Sequence, residues 1–455
     1  MATQYSYCVI FLATFGAFLA ATVVGWSSPM MEKLKELDDN PLERKITSSE
    51  SSWLSSLAIL GSSVGCITVS MLGNKFGRKT VLISGGVAVL ISYLTMTWTK
   101  TVYQLLIGRL FTGFGVGVIF STLPIYFGEM AEAKNRGIIS TSIVIFMNGG
   151  MIYSSIAGAY FSYLWFHLTL VAFSAIYTIL LFIYGTETPY YMIRSDRSKA
   201  ERILMKLRGY GQYDETLDQM EESLHTASKV SFMEILNSKS TIKTLIIGIG
   251  GITFAQLTGT SIMVAYTQTI LKDAGVSIAP EDGPIILSII QFVTSIIVCV
   301  VADKFPRKFL LAISHAGISF SQIPLGVYFN LKNSNYEGIE KISWLPLICM
   351  IIYAVMYCIG VGPILMTFLG ELFAPKVKNA VVSWLIAYNL LGNFLMTFLY
   401  NDLESAMGKD YLLWISSACG FVAVVFVMLV MVETKGKTLQ EIQDELNHRY
   451  NSPAK

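Results

Sequence analysis

Apolar residues run through this chain in blocks of about twenty, each closed by a short polar or charged stretch. A helical block of that length crosses a bilayer core. The blocks lie at 7–27, 53–73, 80–98, 102–128, 137–158 and 164–185, and again at 243–270, 284–302, 308–330, 344–370, 379–400 and 411–432. The pattern predicts an all-α membrane protein with twelve transmembrane helices. Between the two sets of six lies one long polar stretch, 194–242, in which RSKAERILMKLRG and DETLDQMEESLHTA have amphipathic helical spacing. That stretch is read as a helical cytoplasmic linker, either a solvated connection or a tie between the sets.

The segment 111–137, FTGFGVGVIFSTLPIYFGEMAEAKNRG, is glycine-rich and ends in Glu129, Glu132, Lys134 and Arg136. Small residues let membrane helices approach closely, and the terminal charges suit a return to water. The segment 360–380 repeats its ending, with Glu371 and Lys378 spaced as Glu129 and Arg136 are. Two further echoes keep the same order. GNKFGRK (73–79) matches DKFPRK (303–308), and Glu187-Thr188-Pro189 matches Glu433-Thr434-Lys435. These motifs follow the second, fourth and sixth spans of each set, as a duplicated chain would place them. The expected organisation is a six-helix bundle over 1–193, the linker over 194–242, a second bundle over 243–432 and a tail over 433–455. Parallel repeats of this kind place a substrate site near the bilayer midplane between the halves.

Composition agrees with a membrane reading. The 455 residues are 53% hydrophobic and 14% charged, with mean hydropathy +0.56, where soluble domains carry about a quarter charged residues. Lys and Arg concentrate in the loops after even-numbered spans, in 194–243 and in the tail, which places both termini in the cytoplasm. The first span begins at Tyr5 without a basic leader, so a cleaved signal peptide is not expected. All six cysteines fall within apolar spans and read as small buried hydrophobes. The net charge of +2 says nothing about an acidic partner, and no nucleic-acid partner is expected. The four histidines are scattered, and no nucleophile–base pair or metal-ligand spacing appears, so neither an enzyme nor a cofactor is expected.

The motifs PIYFGEMAEAKNRG (124–137), FGRK (76–79), ETPYYM (187–192), KLRG (206–209), QLTG (256–259), GPI…GELF (362–373) and VETKGKTLQEI (432–442) together resemble the sugar porter family of the major facilitator superfamily. GWSSP (25–29) and Asn148-Gly149-Gly150 are most similar to its insect facilitated trehalose branch. The resemblance implies the two-bundle major facilitator fold and sugar movement by alternating access.

A sugar site needs uncharged groups that donate and accept, with apolar walls that exclude water. At intramembrane depth the chain offers Gln256, Thr258, Ser261, Gln291, Asn389 and Asn393. An isolated amide in such a helix otherwise serves as glue between helices. By the resemblance Gln256, Gln291, Asn389 and Asn393 match sugar-binding positions, and Asn148, Ser27 and Met366 are further substrate-site candidates. The sequence departs from the family pattern at Ala255, Ser261, Met366 and Val144, where a second glutamine, an asparagine, a tryptophan and a third glutamine are usual. The pocket is therefore expected to be poorer in amides, with altered specificity.

A cytoplasmic latch is expected from Arg78, Glu129, Arg136, Glu187, Arg307, Glu371, Lys378 and Glu433, whose pairs would form and break as the carrier alternates. The short FGRK loop could equally be simple positive-inside anchoring. Arg109 is grouped with the latch as an intramembrane charge, or else it is an interfacial guanidinium. Gly259 and Pro363 are candidate hinges. Proton-linked sugar porters carry an aspartate in span 1, whereas Val24–Pro29 here holds no acid. A facilitative uniporter for trehalose or a hexose such as glucose is thus expected, acting as a monomer in the plasma membrane. The alternatives are a proton-coupled symporter and a non-transporting sugar sensor, and the short tail after Ile442 speaks against the sensor.

Overall fold

The computed structural model describes residues 4–130, 136–209, 211, 213–226, 239–276, 278–373, 375–435, 437 and 441. Within these, the side chains of 4, 70–74, 136–141, 223–226, 239–241, 243, 303, 370–371, 375–380 and 383 lie outside the description. The described residues form helices and no strand. The chain divides into two compact units, 1–228 and 229–455.

In the first unit the helices are α1 (Gln4–Gly25), α2 (Ser27–Lys35), α3 (Ser48–Phe76), α4 (Arg78–Thr97), α5 (Val102–Met130), α6 (Arg136–Tyr160) and α7 (Tyr163–Tyr184). The short α8 (Pro189–Met192) follows, then α9 (Arg197–Arg208) and α10 (Asp214–Thr226). The second unit begins with α11 (Lys239–Leu257), α12 (Thr260–Ala265), α13 (Thr267–Ala274) and α14 (Asp282–Val301). It continues with α15 (Arg307–Asn333), α16 (Leu345–Ile359), α17 (Pro363–Leu372), α18 (Pro375–Met407) and α19 (Lys409–Leu429).

Ten stretches among the described residues are long and apolar enough to cross a membrane, against the twelve expected. The two missing are the seventh and eleventh spans. The seventh is broken into α11, α12 and α13, leaving Thr244–Leu257 as a shorter apolar helix. The eleventh lies within α18, several of whose side chains are outside the description. The stretch between the first two apolar blocks is partly helical, because α2 runs to Lys35 and α3 starts at Ser48. Thr47 and Glu50 form a capping box there, which lets polar serines begin a helix.

Each unit packs its own helices in one pattern. In the first, α1 lies against α6, α5 and α7, α3 and α4 lie against α5, and α4 against α7. In the second, α11 lies against α18 and α19, α14 and α15 lie against α16, and α15 against α19. Counted by span, five of these pairings recur in both units, and α11 touches α17 of the tenth span as α1 touches α5.

The glycines noted in 111–137 have a direct packing reason. A Cβ on Gly113 or Gly117 would overlap the Ala58 or Ser62 carbonyl of α3, and one on Gly61 or Gly65 would overlap the Leu110 or Phe114 carbonyl of α5. The helices α3 and α5 thus cross backbone to backbone, and Ser62 Oγ donates to the Gly113 carbonyl at 3.0 Å. Overpacking such a crossing typically costs about 1–3 kcal/mol.

The linker helices also have their own small core. Ala200 and Leu204 of α9 bury against Leu217 and Met220 of α10 with Ile193. Asp196 caps α9, and Arg197 binds Asp218 at 2.7 Å and Glu221 at 3.2 Å.

Candidate functional site

The second unit holds a polar cluster around a broken helix. At the end of α11 the chain turns through Gly259, whose φ of +77° lies in the left-handed region that a residue with a Cβ avoids. Gln256, one turn earlier, is buried, and its Nε2 donates to Asn389 twice, at 2.6 Å to Oδ1 and 3.1 Å to the backbone carbonyl. The structure thus joins two of the amides singled out in the sequence. Gln256 Oε1 and Ser261 Oγ, on either side of the Gly259 turn in sequence, are buried without a partner. Thr258 turns its hydroxyl back to the Ala255 carbonyl at 2.7 Å, so it offers little to a ligand.

The other substrate candidates are more scattered. Gln291 is half-buried on α14, Asn393 is half-buried on α18, and Met366 is exposed on α17. No bond brings Gln291 or Asn393 to Gln256. Asn148 Nδ2 donates within its own helix to the Val144 carbonyl at 2.9 Å. Ser27 Oγ is taken by Arg109, as described below. Sequence reasoning missed Thr253 and Tyr388, whose hydroxyls lie 2.8 Å apart. It also missed Gln322 and Tyr353, whose role is taken up further on.

Arg109 is buried within the helices of the first unit, and it stands apart from Glu129 of the latch. It is 1% exposed and sits near the start of α5, twenty residues from Glu129 at the other end. Its Nε donates to the Leu54 carbonyl at 3.0 Å, Nη1 to the Val23 carbonyl at 3.0 Å, and Nη2 to Ser27 Oγ at 2.8 Å. Its plane lies 4.4 Å from the centroid of the Trp26 ring, a cation–π distance. Here α1 gives way to α2, three residues before Pro29, which has no N–H to offer the Gly25 carbonyl. Trp26 Nε1 donates to His167 Nε2 at 3.0 Å, while His167 Nδ1 lies 2.8 Å from the Tyr163 carbonyl. Nδ1 therefore carries the ring proton. The junction of the first span is fixed by α3, α5 and α7 together.

The charged motifs meet where α3 turns into α4. Arg78 binds Glu129 through Nη2 at 3.1 Å and Nε at 3.3 Å, and the Thr188 hydroxyl donates to the other carboxylate oxygen of Glu129 at 2.5 Å. Glu187 takes a different role from the one expected. Its carboxylate accepts the backbone N–H groups of Arg78 at 2.5 Å and Lys79 at 2.9 Å, so it caps the N-terminus of α4. Burial raises its pKa, against the pull of those N–H groups. Gly77 precedes the cap with φ +79°, and a Cβ there would strike the Glu187 carboxylate.

The second unit repeats the device. Glu433 accepts the N–H groups of Arg307 at 2.9 Å and Lys308 at 3.1 Å. In both units the neighbouring lysine reaches the end of the sixth helix: Lys79 Nζ to the Phe182 carbonyl at 2.9 Å, Lys308 Nζ to Met428 at 2.6 Å. The side chains of Arg136, Glu371 and Lys378 lie outside the described residues. Glu187→Ala and Glu433→Ala should each cost about 0.5–2 kcal/mol, as lost caps do, and a fall in thermal midpoint in detergent checks this. Among the described residues no three His, Cys, Asp or Glu side chains gather as metal ligands.

A family model described as "Sugar (and other) transporter" matches residues 9–446. The chain belongs to this family. Among curated relatives, it is 29% identical to the facilitated trehalose transporter Tret1 of Culex quinquefasciatus over 96% of this chain and 85% of that protein. It is also 29% identical to Tret1 of Aedes aegypti, over 96% of this chain and 55% of that one. The chain therefore spans about half the length of the Aedes protein. Among solved structures, the inward-open xylose transporter XylE from E. coli superposes with a TM-score of 0.81 at 21% identity, over 97% of this chain and 99% of XylE. At that identity the likeness establishes the major facilitator fold. Family and relatives are those of a membrane transporter.

Proposed function

We propose that this chain is a facilitative sugar transporter that carries trehalose or a hexose such as glucose down its gradient by alternating access. The observation that carries the reading is the Gln256–Asn389 pair beside the Gly259 break, with Gln256 Oε1 and Ser261 Oγ buried and unpartnered. A sugar hydroxyl both donates and accepts, so it can satisfy an unpartnered amide oxygen and an unpartnered hydroxyl. Relatives named as facilitated trehalose transporters support trehalose as the first sugar to test. Saturable uptake of labelled trehalose or glucose into proteoliposomes is the expected result. An absence of saturable flux for any mono- or disaccharide would refute it.

Uniport is favoured by the surroundings of Arg109. Its donors reach two carbonyls and a hydroxyl, and among the described residues no carboxylate accepts from them. A symporter would instead accumulate sugar against its gradient when the lumen is made alkaline.

Plasma-membrane placement, cytoplasmic termini and action as a monomer complete the proposal, and the distribution of Lys and Arg supports the orientation. In this setting the Arg78–Glu129–Thr188 cluster is part of the cytoplasmic latch, with Arg136, Arg307, Glu371 and Lys378, while Glu187 and Glu433 cap the helices that begin at Arg78 and Arg307. Arg78→Ala, like Arg136→Ala, would free a carboxylate partner and shift the outward–inward equilibrium about tenfold. Unequal changes in influx and efflux would reveal the shift. Unaltered kinetics in both directions would remove these arginines from the latch. Gly259 and Pro363 are the proposed hinges, one at a left-handed turn and the other opening α17 at its first position.

A further inference from the structure

One face of α15 holds two of the breaks in the apolar helices of the second unit, the one at Gly259 and the one between α16 and α17. At the first break, the Thr258 carbonyl accepts Gln322 Nε2 of α15 at 2.8 Å and the Tyr353 hydroxyl of α16 at 3.2 Å. Thr258, Gln322 and Tyr353 are all buried. At the second break, between α16 and α17, Ser314 Oγ of α15 donates to the Met356 carbonyl at 2.6 Å and accepts the Val361 N–H at 3.0 Å. Gly360 lies so close that a Cβ would overlap the Leu310 carbonyl. Ser314, Ile318 and Gln322 follow one another at four-residue steps, which places them along one side of the helix. All three are almost wholly buried.

We propose that this stripe of α15, with Tyr353, is the positioning element of the transport cycle. Gln322 and Tyr353 share the Thr258 carbonyl and so set the direction in which α12 leaves the Gly259 turn. Ser314 does the same for α17. Because α15 packs along α16 and α19, it is a fixed strut against which both broken helices are aligned. The residues named need not touch sugar; they govern the rate at which the carrier reorients. The inference rests on the transport reading given above.

The shared acceptor makes a distinctive prediction. A buried carbonyl is costly only when it loses its last donor, so losing one of two should matter little and losing both should matter a great deal. Gln322→Met keeps the side chain's bulk without the donor, and Tyr353→Phe removes only the hydroxyl. Each alone should change maximal flux by less than about threefold, while the double variant should lower it by about tenfold or more. Equilibrium sugar binding should stay within about twofold in all three.

Hydrogen exchange of the amides of 255–266 should accelerate about tenfold in the double variant and much less in either single variant. Ser314→Ala should accelerate exchange over 356–364 and leave 255–266 alone. Additive effects of the two single changes, a loss of binding in place of flux, or unchanged exchange in the double variant would overturn the proposal. Should the double variant fail to fold, Ser314→Ala decides instead, and wild-type exchange over 356–364 would overturn the proposal. The exchange measurement needs no sugar. A wild-type protein that moves none refutes the transport reading alone, and one that transports but shows no exchange effect refutes the strut alone.

Discussion

Replacing Arg109 with leucine should destabilise the folded protein strongly. The guanidinium serves the Leu54 and Val23 carbonyls and the Ser27 hydroxyl and stacks on Trp26, all in a buried setting. Hydrogen bonds to charged groups contribute about 1.5–3 kcal/mol each, and acceptors left buried without a donor add a penalty. Because these terms overlap, a net loss of about 3–5 kcal/mol is expected, a large part of the 5–15 kcal/mol that stabilises a typical domain. The measurement is yield of monodisperse protein together with its thermal midpoint. Arg109→Lys should fall between, since a point charge can serve one of the three acceptors but not the planar fork. Wild-type stability in Arg109→Leu would show that the junction of α1 and α2 is held by something else.

The second large effect concerns binding. Gln256→Ala should raise the KM for sugar about tenfold with little change in maximal flux, as expected when a buried amide that meets substrate is lost. It also strips Asn389 Oδ1 of its donor. Asn389→Ala should be milder, because Gln256 Nε2 keeps its bond to the Asn389 backbone carbonyl. Ser261→Ala should resemble Asn389→Ala, as it removes a hydroxyl that has no partner within the protein. A fall in maximal flux with unchanged KM in Gln256→Ala would move this residue from the site to the hinge.

Much of the fold was legible because membrane crossing leaves a coarse signal. Blocks of about twenty apolar residues and repeated charged exits need no knowledge of packing to be read. The glycines of 111–137 were legible for the same reason, and their backbone crossing with α3 supplies the cause. Helix breaks were harder. Gly259 and Pro363 could be flagged by residue type, but the Trp26 junction is signalled only by Pro29 three residues on.

Partners were harder still. Charge identifies Glu187 and Glu433 as residues of a motif, yet only geometry shows that they meet backbone N–H groups and not guanidinium groups. Arg109 was visible as an intramembrane charge, but its burial and its neutral partners were not. Gln322 and Tyr353 escaped because a single polar residue in an apolar helix looks the same whether it joins two helices or supports a break. A signal was present: Gln322 is an amide at intramembrane depth, as Gln291 is.

The most direct test of the account is a flux measurement in proteoliposomes containing only this protein. Labelled trehalose and glucose would be offered with and without an imposed pH gradient. The account predicts saturable entry of at least one of them that stops at equal concentrations, with the pH gradient leaving the end point unchanged. Accumulation above the external concentration when the lumen is alkaline, or no saturable entry of any sugar, would contradict it.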